Sequence, residues 1–379
     1  MSRGSIIGRD TVARVDDERY SGQLFGADPG AGHWRDLVGH PEQVAGVELL
    51  ELLDGDARGV RVARVRTGEI DVDILVDRAL DISRASVRGV PVGWLSPAGI
   101  RHAAFAEPHG LGPLRTFTGG LLTTCGLDHV HAPADEPDRY GPPGGTVRHH
   151  PLHGRIAAAQ ARLTRLDREG STLVIEGEVR QAMPFGEHLV LRRRLEADLG
   201  GRTLRIRDRV RNDGQMPSPL AVLYHLNVGW PVVSPRARVT ATVGEPAVRL
   251  GSAGQRDWRH LPEPEPAAVE AVWEHTLRRG DDGWCRAAVV TDDIGDGRAA
   301  GLLVSWDAAT LPHLAQWLMP APGMYVTAVE PSTVGVGGVA AAREAGTLRM
   351  LEPDEDVLLS VDLRLLHGSD DVAAAPTDR

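Results

Sequence analysis

In EHLVLRRRLEADLGGRTLRIRDRVRNDG, residues 187–214, aliphatic and charged side chains alternate on both sides of a Gly-Gly pair. Leu189, Leu191 and Leu195 point one way, while Val190, Arg192, Arg194 and Glu196 point the other. After the Gly200-Gly201 turn, Leu204, Ile206 and Val210 alternate with Arg205, Arg207, Arg209 and Arg211. A period of two is the signature of a half-buried strand, so the segment predicts a hairpin with aliphatics inside and a solvated arginine face outside. Asp213-Gly214 closes the second strand in a turn.

Working outward, the same signal recurs at 59–68, 72–87, 171–180, 236–244, 286–293, 299–306, 324–330, 346–352 and 357–366. Forty-four glycines and 26 prolines punctuate these runs, as short strands joined by turns require. Helical periodicity is scarce, with short helices expected only over 261–275 and 99–106. The chain therefore reads as all-β and mainly antiparallel, one sandwich domain over 1–368, followed by a flexible tail at 369–379.

Bulk properties narrow the function. The chain has 379 residues, 42% hydrophobic and 25% charged, and a formal net charge of -10. That is the balance of an ordinary globule with ample core. Its basic residues are scattered arginines, which argues against nucleic acid as a partner. Cys125 and Cys285 stand alone, giving neither a disulfide framework nor a zinc motif. No secretory or membrane-spanning run is visible, so the expectation is a cytoplasmic protein without a membrane partner. A homo-oligomer is compatible with all of this.

Chemistry-bearing residues gather in a few places. His129 and His131 follow GGLLTTCGLD, His149, His150 and His153 fall in RHHPLHGR, and His225 sits in YHLNVGWP. Imidazoles titrate near neutrality and suit proton transfer. Glu330 ends the apolar run MYVTAVE and precedes Pro331, where desolvation raises a carboxyl pKa toward that of a general base. Tryptophans (8) outnumber tyrosines (4), and Trp94, Trp230 and Trp317 lie beside turns or polar clusters. Indoles stacking on C–H faces, with polar partners for hydroxyls, are what a sugar pocket needs. The three histidines at 149, 150 and 153 lack the helical spacing of a zinc motif, and no metal is expected.

Seven segments in order carry a resemblance: DRALDIS (77–83), GVPVGWLSP (89–97), GGLLTTCGLDHV (119–130), LHGR (152–155), YHLNVGWP (224–231), LPHLAQW (311–317) and YVTAVEPST (325–333). The series resembles the bacterial branch of the aldose 1-epimerase, or galactose mutarotase-like, superfamily first catalogued as a family of unknown function. The resemblance covers roughly residues 40–365 and implies a β-supersandwich with a sugar groove. It implies that Glu330 is the general base, that His225 protonates the ring oxygen, and that His153 sits in the histidine loop.

Sugar contacts are implied for Arg78, Asp128, His129, Arg155, Asn227, Trp230, Asp257, Gln316 and Trp317, with Asp257 the counterpart of a hexose-binding aspartate. Only Leu226 separates His225 from Asn227, and STVGVGG replaces the family's usual run after the glutamate. No cofactor is implied. The leading expectation is a sugar isomerase that interconverts anomers. The rivals are a metal-assisted epimerase or keto-sugar isomerase on the same scaffold, and a non-catalytic carbohydrate-binding protein.

Overall fold

A computed structural model of the protein describes residues 38–140 and 147–376. The opening hairpin is present, with Thr203–Asn212 antiparallel to His188–Asp198. It lies inside an eight-stranded sheet whose order, by residue range, is 162–169, 172–182, 188–198, 203–212, 356–367, 300–307, 284–291 and 238–241. A six-stranded sheet runs 243–251, 271–277, 313–321, 324–332, 223–228 and 123–125. A five-stranded sheet is built from 46–51, 61–66, 70–75, 81–87 and 90–91. Every named strand pairing is antiparallel. One continuous apolar cluster draws residues from all three sheets, among them Val65, Leu191, Ile206, Tyr224, Trp273 and Leu363.

The outer face of the hairpin behaves as its alternation predicts. Arg192 pairs with Glu178 at 3.0 Å, Arg205 with Asp198 at 2.7 Å and Arg207 with Asp362 at 2.7 Å, while Arg194 bonds Glu176 and Arg209 bonds Asp356. Exposed pairs of this kind contribute at most about 1 kcal/mol each and mainly keep the face wet. Val190, at the start of that face, is buried as well.

Arg193 and Asp208 break the pattern. They lie opposite one another on the aliphatic side and are fully buried. Arg193 grips Asp208 through Nε and Nη2 at 2.9 and 2.6 Å, and its Nη1 reaches the Ala79 carbonyl at 3.2 Å and Asp81 at 3.3 Å. Tyr224 donates its hydroxyl to Asp208 at 2.7 Å. A buried charge is tolerable only when paired and hydrogen-bonded, and these bonds join the strands at 188–198, 203–212, 223–228 and 81–87 in one network.

Two expectations about helices fail. Residues 261–275 form an irregular segment and then a strand, Ala271–Leu277. Pro262, Pro264 and Pro266 deny a helix its N–H donors, and Ala271, Trp273 and His275 then alternate inward at the strand period. Over 99–106 only the 3-10 turn Ala103–Phe105 appears. In the described part of the tail, Ser369–Ala373 is a short helix with Val372 buried and Asp371 bonded to Arg202 and Arg364. Residues 377–379 lie outside the described part. An unanticipated helix, Gly338–Glu344, follows the site strand. No helix among the described residues is long and apolar enough to cross a membrane.

Candidate functional site

The six-stranded sheet positions the site through its register. Partners opposite each other on neighbouring strands share a face. Thr123 lies opposite His225, Glu330 opposite Ala315, and Ala315 opposite Glu274. Leu226 meets Val329 and Leu223 meets Ser332, which brings His225 level with Glu330. Thr123, His225, Glu330, Ala315 and Glu274 thus form one row across the outward face. The alternate residues Tyr224, Leu226, Val329, Leu314 and Trp273 enter the core.

His225 and Glu330 touch: Nε2 lies 3.4 Å from Oε1, with both residues buried at 6% and 3% exposure. Burial, with a smaller contribution from Glu270, raises Glu330 to about 8. Burial lowers His225 to about 4. Both shifts disfavour charge, so between those limits the pair holds a single proton. The implied acid and base face each other directly.

Aromatic rings wall the pair. His225 meets the edges or faces of Phe117 at 5.7 Å, His153 at 5.6 Å and Trp317 at 5.6 Å. Trp317 donates its indole N–H to Glu270 at 2.9 Å, fixing the ring beside the histidine. His153 sits at φ 59 in a turn whose next residue is Gly154 at φ 75. Its backbone N–H is held by the His131 carbonyl at 2.9 Å, and its own carbonyl accepts from Gly126 at 2.9 Å. Burial, reinforced by His225 and His131, drives its pKa well down.

Arg78 occupies the turn between the strands at 70–75 and 81–87, followed by Ala79 and Leu80 at φ 55 and 60. Its Nη2 donates to the Thr116 carbonyl at 3.0 Å, while Nη1 is buried without a partner. Asp81, beside it, accepts from Thr124 N and Oγ1 at 2.9 and 2.6 Å. That ties the turn to the strand carrying Thr123. Burial raises Asp81 to about 6.

The other candidates divide. Asn227 is close, donating to the Gly120 and His225 carbonyls at 3.1 and 3.0 Å; it holds the His225 strand in place. Gln316 faces the core, bonded to His275 at 3.1 Å and to the Trp258 carbonyl at 2.8 Å, because its register puts it opposite Val329 and not opposite Glu330. Asp257 is a half-exposed loop residue bonded to His260 at 2.9 Å and to the Arg259 amide at 3.1 Å. Trp230 is 72% exposed and shows no ring contact with the pair.

Asp128, His129 and Arg155 belong to a neighbouring cluster. Asp128 accepts from Gln181 at 2.6 Å, His129 stacks on His150 at 4.8 Å, and Arg155 donates to the His149 carbonyl at 2.6 Å. The structure therefore gathers Glu330, His225, His153, Asn227 and Trp317 at one place, with Arg78 linked to it through Asp81 and Thr124.

Sequence reasoning missed Phe117, Glu270, Glu274, His313 and the part played by His131. His313 donates to Glu274 at 2.9 Å, and the Val336 amide donates to its other oxygen at 3.1 Å. Although burial pushes the Glu274 pKa up, these bonds bring it below the ordinary value. Their signal was the alternation of Glu270, Val272 and Glu274, legible only once that segment is read as a strand. Among the described residues no group of three or more His, Cys, Asp or Glu side chains is disposed to hold a metal ion.

With the geometry in hand, the chain can be set beside known proteins. No curated protein matches it in sequence. Among solved structures, a candidate aldose 1-epimerase from Klebsiella pneumoniae subsp. pneumoniae MGH 78578 superposes with a TM-score of 0.73 at 22% identity, covering 86% of this chain and 85% of that one. A galactose mutarotase-like protein from Clostridium acetobutylicum gives 0.59 at 14% identity over 86% and 99%. Galactose 1-epimerase from Lactobacillus acidophilus NCFM gives 0.55 at 12% identity over 86% and 100%. At these identities the likeness is one of fold. The family model described as a domain of unknown function, DUF4432, matches residues 57–365. The chain belongs to the DUF4432 family and carries it on a galactose mutarotase-like β-sandwich.

Proposed function

We propose that this protein is an aldose 1-epimerase, which interconverts the anomers of a sugar through acid–base ring opening. The observation that carries the reading is the buried His225–Glu330 contact at 3.4 Å. Opening a cyclic sugar removes a proton from the C1 hydroxyl and delivers one to the ring oxygen. Both oxygens are borne by the same carbon, so an acid and a base already in contact can serve both.

One proton shared by the pair is the count this reaction needs. In the carboxylate–imidazolium tautomer of the one-proton pair, Glu330 takes the C1 hydroxyl proton as the C1–O bond to the ring oxygen breaks, and the His225 Nε2–H protonates that oxygen. The pair is left as neutral carboxylic acid and neutral imidazole, the charge state its burial favours. Rotation about C1–C2 presents the other carbonyl face. Reclosure returns a proton from Glu330 to the C1 oxygen, while His225 takes the hydroxyl proton, restoring the starting pair. Trp317 and Phe117 supply apolar walls for the sugar's C–H faces, and the unpartnered Arg78 Nη1 is available to a hydroxyl.

One-dimensional proton NMR of freshly dissolved aldoses tests this. Wild type accelerates α/β exchange, and Glu330→Gln loses about 10²-fold or more of that acceleration. Unchanged exchange across a broad panel of aldoses sinks the proposal, and saturable binding without turnover points to a carbohydrate-binding protein.

A further inference from the structure

Three ring nitrogens of the site share an unusual property. His131 Nε2, His153 Nδ1 and His225 Nδ1 are each shut off from solvent and have no hydrogen-bond partner. Buried polar atoms are nearly always satisfied, and each exception demands an explanation. A run of them on neighbouring side chains is explained by a ligand that brings its own hydroxyls.

His131 is the member that neither the sequence motifs nor the epimerase chemistry accounts for. Its ring stands 6.0 Å from that of His153, which in turn stands 5.6 Å from His225. His131 adopts φ 67, and its carbonyl holds the His153 amide at 2.9 Å, so the two residues are set as a unit. The His131 Nε2 is buried without a hydrogen-bond partner, and in the Nδ1–H tautomer that atom offers a lone pair.

We infer that His131 is the third imidazole of the sugar site, a specificity residue that accepts a hydrogen bond from a substrate hydroxyl remote from C1, and that the substrate end it reads is uncharged. The inference rests on the epimerase reading for where C1 lies. Charge supports the second half. The largest charged influences on His131 are Glu274, His129 and His313. Glu274 is held there by His313 at 2.9 Å and by the Val336 amide at 3.1 Å, and these bonds bring its carboxyl below the ordinary value. A phosphate or carboxylate at this end would be repelled by that carboxylate. A neutral hydroxyl meets a ready acceptor.

The test is binding, read by saturation-transfer difference NMR titration in the Glu330→Gln protein, so that it does not depend on turnover. The probes are D-glucose, D-galactose, D-xylose, L-arabinose, L-fucose and L-rhamnose, with D-glucose 6-phosphate and D-galactose 6-phosphate as charged counterparts. At least one neutral aldose binds, and its 6-phosphate binds more weakly. His131→Phe weakens the neutral ligand about 10-fold or more by removing the acceptor, whereas His131→Gln, which keeps one, recovers part of the loss.

Thermal melts of both variants separate this from misfolding, and a melt lowered equally in both with only His131→Phe impaired in binding supports the assignment. In the otherwise wild-type enzyme, His131→Phe raises KM about 10-fold with kcat within a few-fold. Equal binding by His131→Phe and its parent, preference for a 6-phosphate, or no binding by any neutral probe overturns the inference. Binding that follows these expectations in a protein that never accelerates anomer exchange overturns the epimerase reading and leaves the His131 assignment standing.

Discussion

Glu330→Gln should make the folded protein more stable in alkali while leaving it unchanged in mild acid. In the native state Glu330 titrates at about 8, against an ordinary 4.5. Between those values the folded chain holds a proton that the unfolded chain has released, so native stability falls as pH rises through that interval. The group's favourable contribution is complete below about 4.5 and is lost as pH passes 8.

Each pH unit of such an interval is worth about 1.4 kcal/mol, which sets a ceiling of ~5 kcal/mol on the cost of Glu330 at pH 9. A gain of about 2–4 kcal/mol for glutamine, below that ceiling, is expected. Gln preserves shape and cannot ionise. Urea unfolding followed by tryptophan fluorescence at pH 5, 7 and 9 reads the difference. Near-zero ΔΔG at pH 5 that grows steadily to pH 9 is the expected outcome. A wild-type-minus-variant difference that is flat with pH would refute the claim that Glu330 is buried without compensation.

Three further outcomes follow from the geometry. The anomer-exchange rate should be bell-shaped in pH, falling tenfold per unit below about 4 as His225 gains a second proton for the pair, and above about 8 as Glu330 loses the last one; a profile flat to pH 10 contradicts the one-proton pair. Arg193→Leu leaves Asp208 and Asp81 buried without their cation and should cost about 3–5 kcal/mol, whereas Arg193→Leu combined with Asp208→Asn should recover part of it, both measured by urea unfolding. Gly154→Ala sets a Cβ 2.4 Å from the His129 carbonyl oxygen and 2.6 Å from that of Gly126 at φ 75, so it should lower Tm and reduce turnover more than 10-fold by displacing His153; wild-type activity in this variant would remove His153 from the site.

Much of the fold was legible because a half-buried strand writes its burial into every second residue. The 187–214 hairpin is the clearest example: its outward arginines and inward leucines fall where the alternation puts them. The same alternation held a sharper message. Arg193 and Asp208 occupy inward positions, and two opposite charges at matching places on adjacent strands imply a buried pair. The segment 261–275 carries apolar residues that also suit a helix, but Pro262, Pro264 and Pro266 forbid one, and only the strand period brings out Glu270 and Glu274.

Legibility of the site followed distance along the chain. Glu330, His225 and His153 lie in local motifs and come together. Asp257 and Gln316 also lie near motifs, yet each finds its hydrogen bonds elsewhere, Gln316 because it is one residue out of phase with Ala315 on the site face. His131 carried only a weak mark, one histidine among several. Its significance depends on a turn bonded to another turn 22 positions away, a contact that no periodicity reports. Trp230 shows the limit of composition: a tryptophan by a turn can face solvent.

The row Thr123–His225–Glu330–Ala315–Glu274 gives the strand interiors a reading frame. One residue inserted ahead of Glu330 within 324–332 would present Val329 on the site face and bury a carboxylate in the core, and one deleted ahead of His225 within 223–228 would exchange His225 for Leu226. A point substitution in these strands alters one contact, whereas an indel inverts all those beyond it. Length variation among relatives of this protein is therefore expected in the connections, such as 252–270 and 333–349, while the site strands keep their residue count even where their residues change.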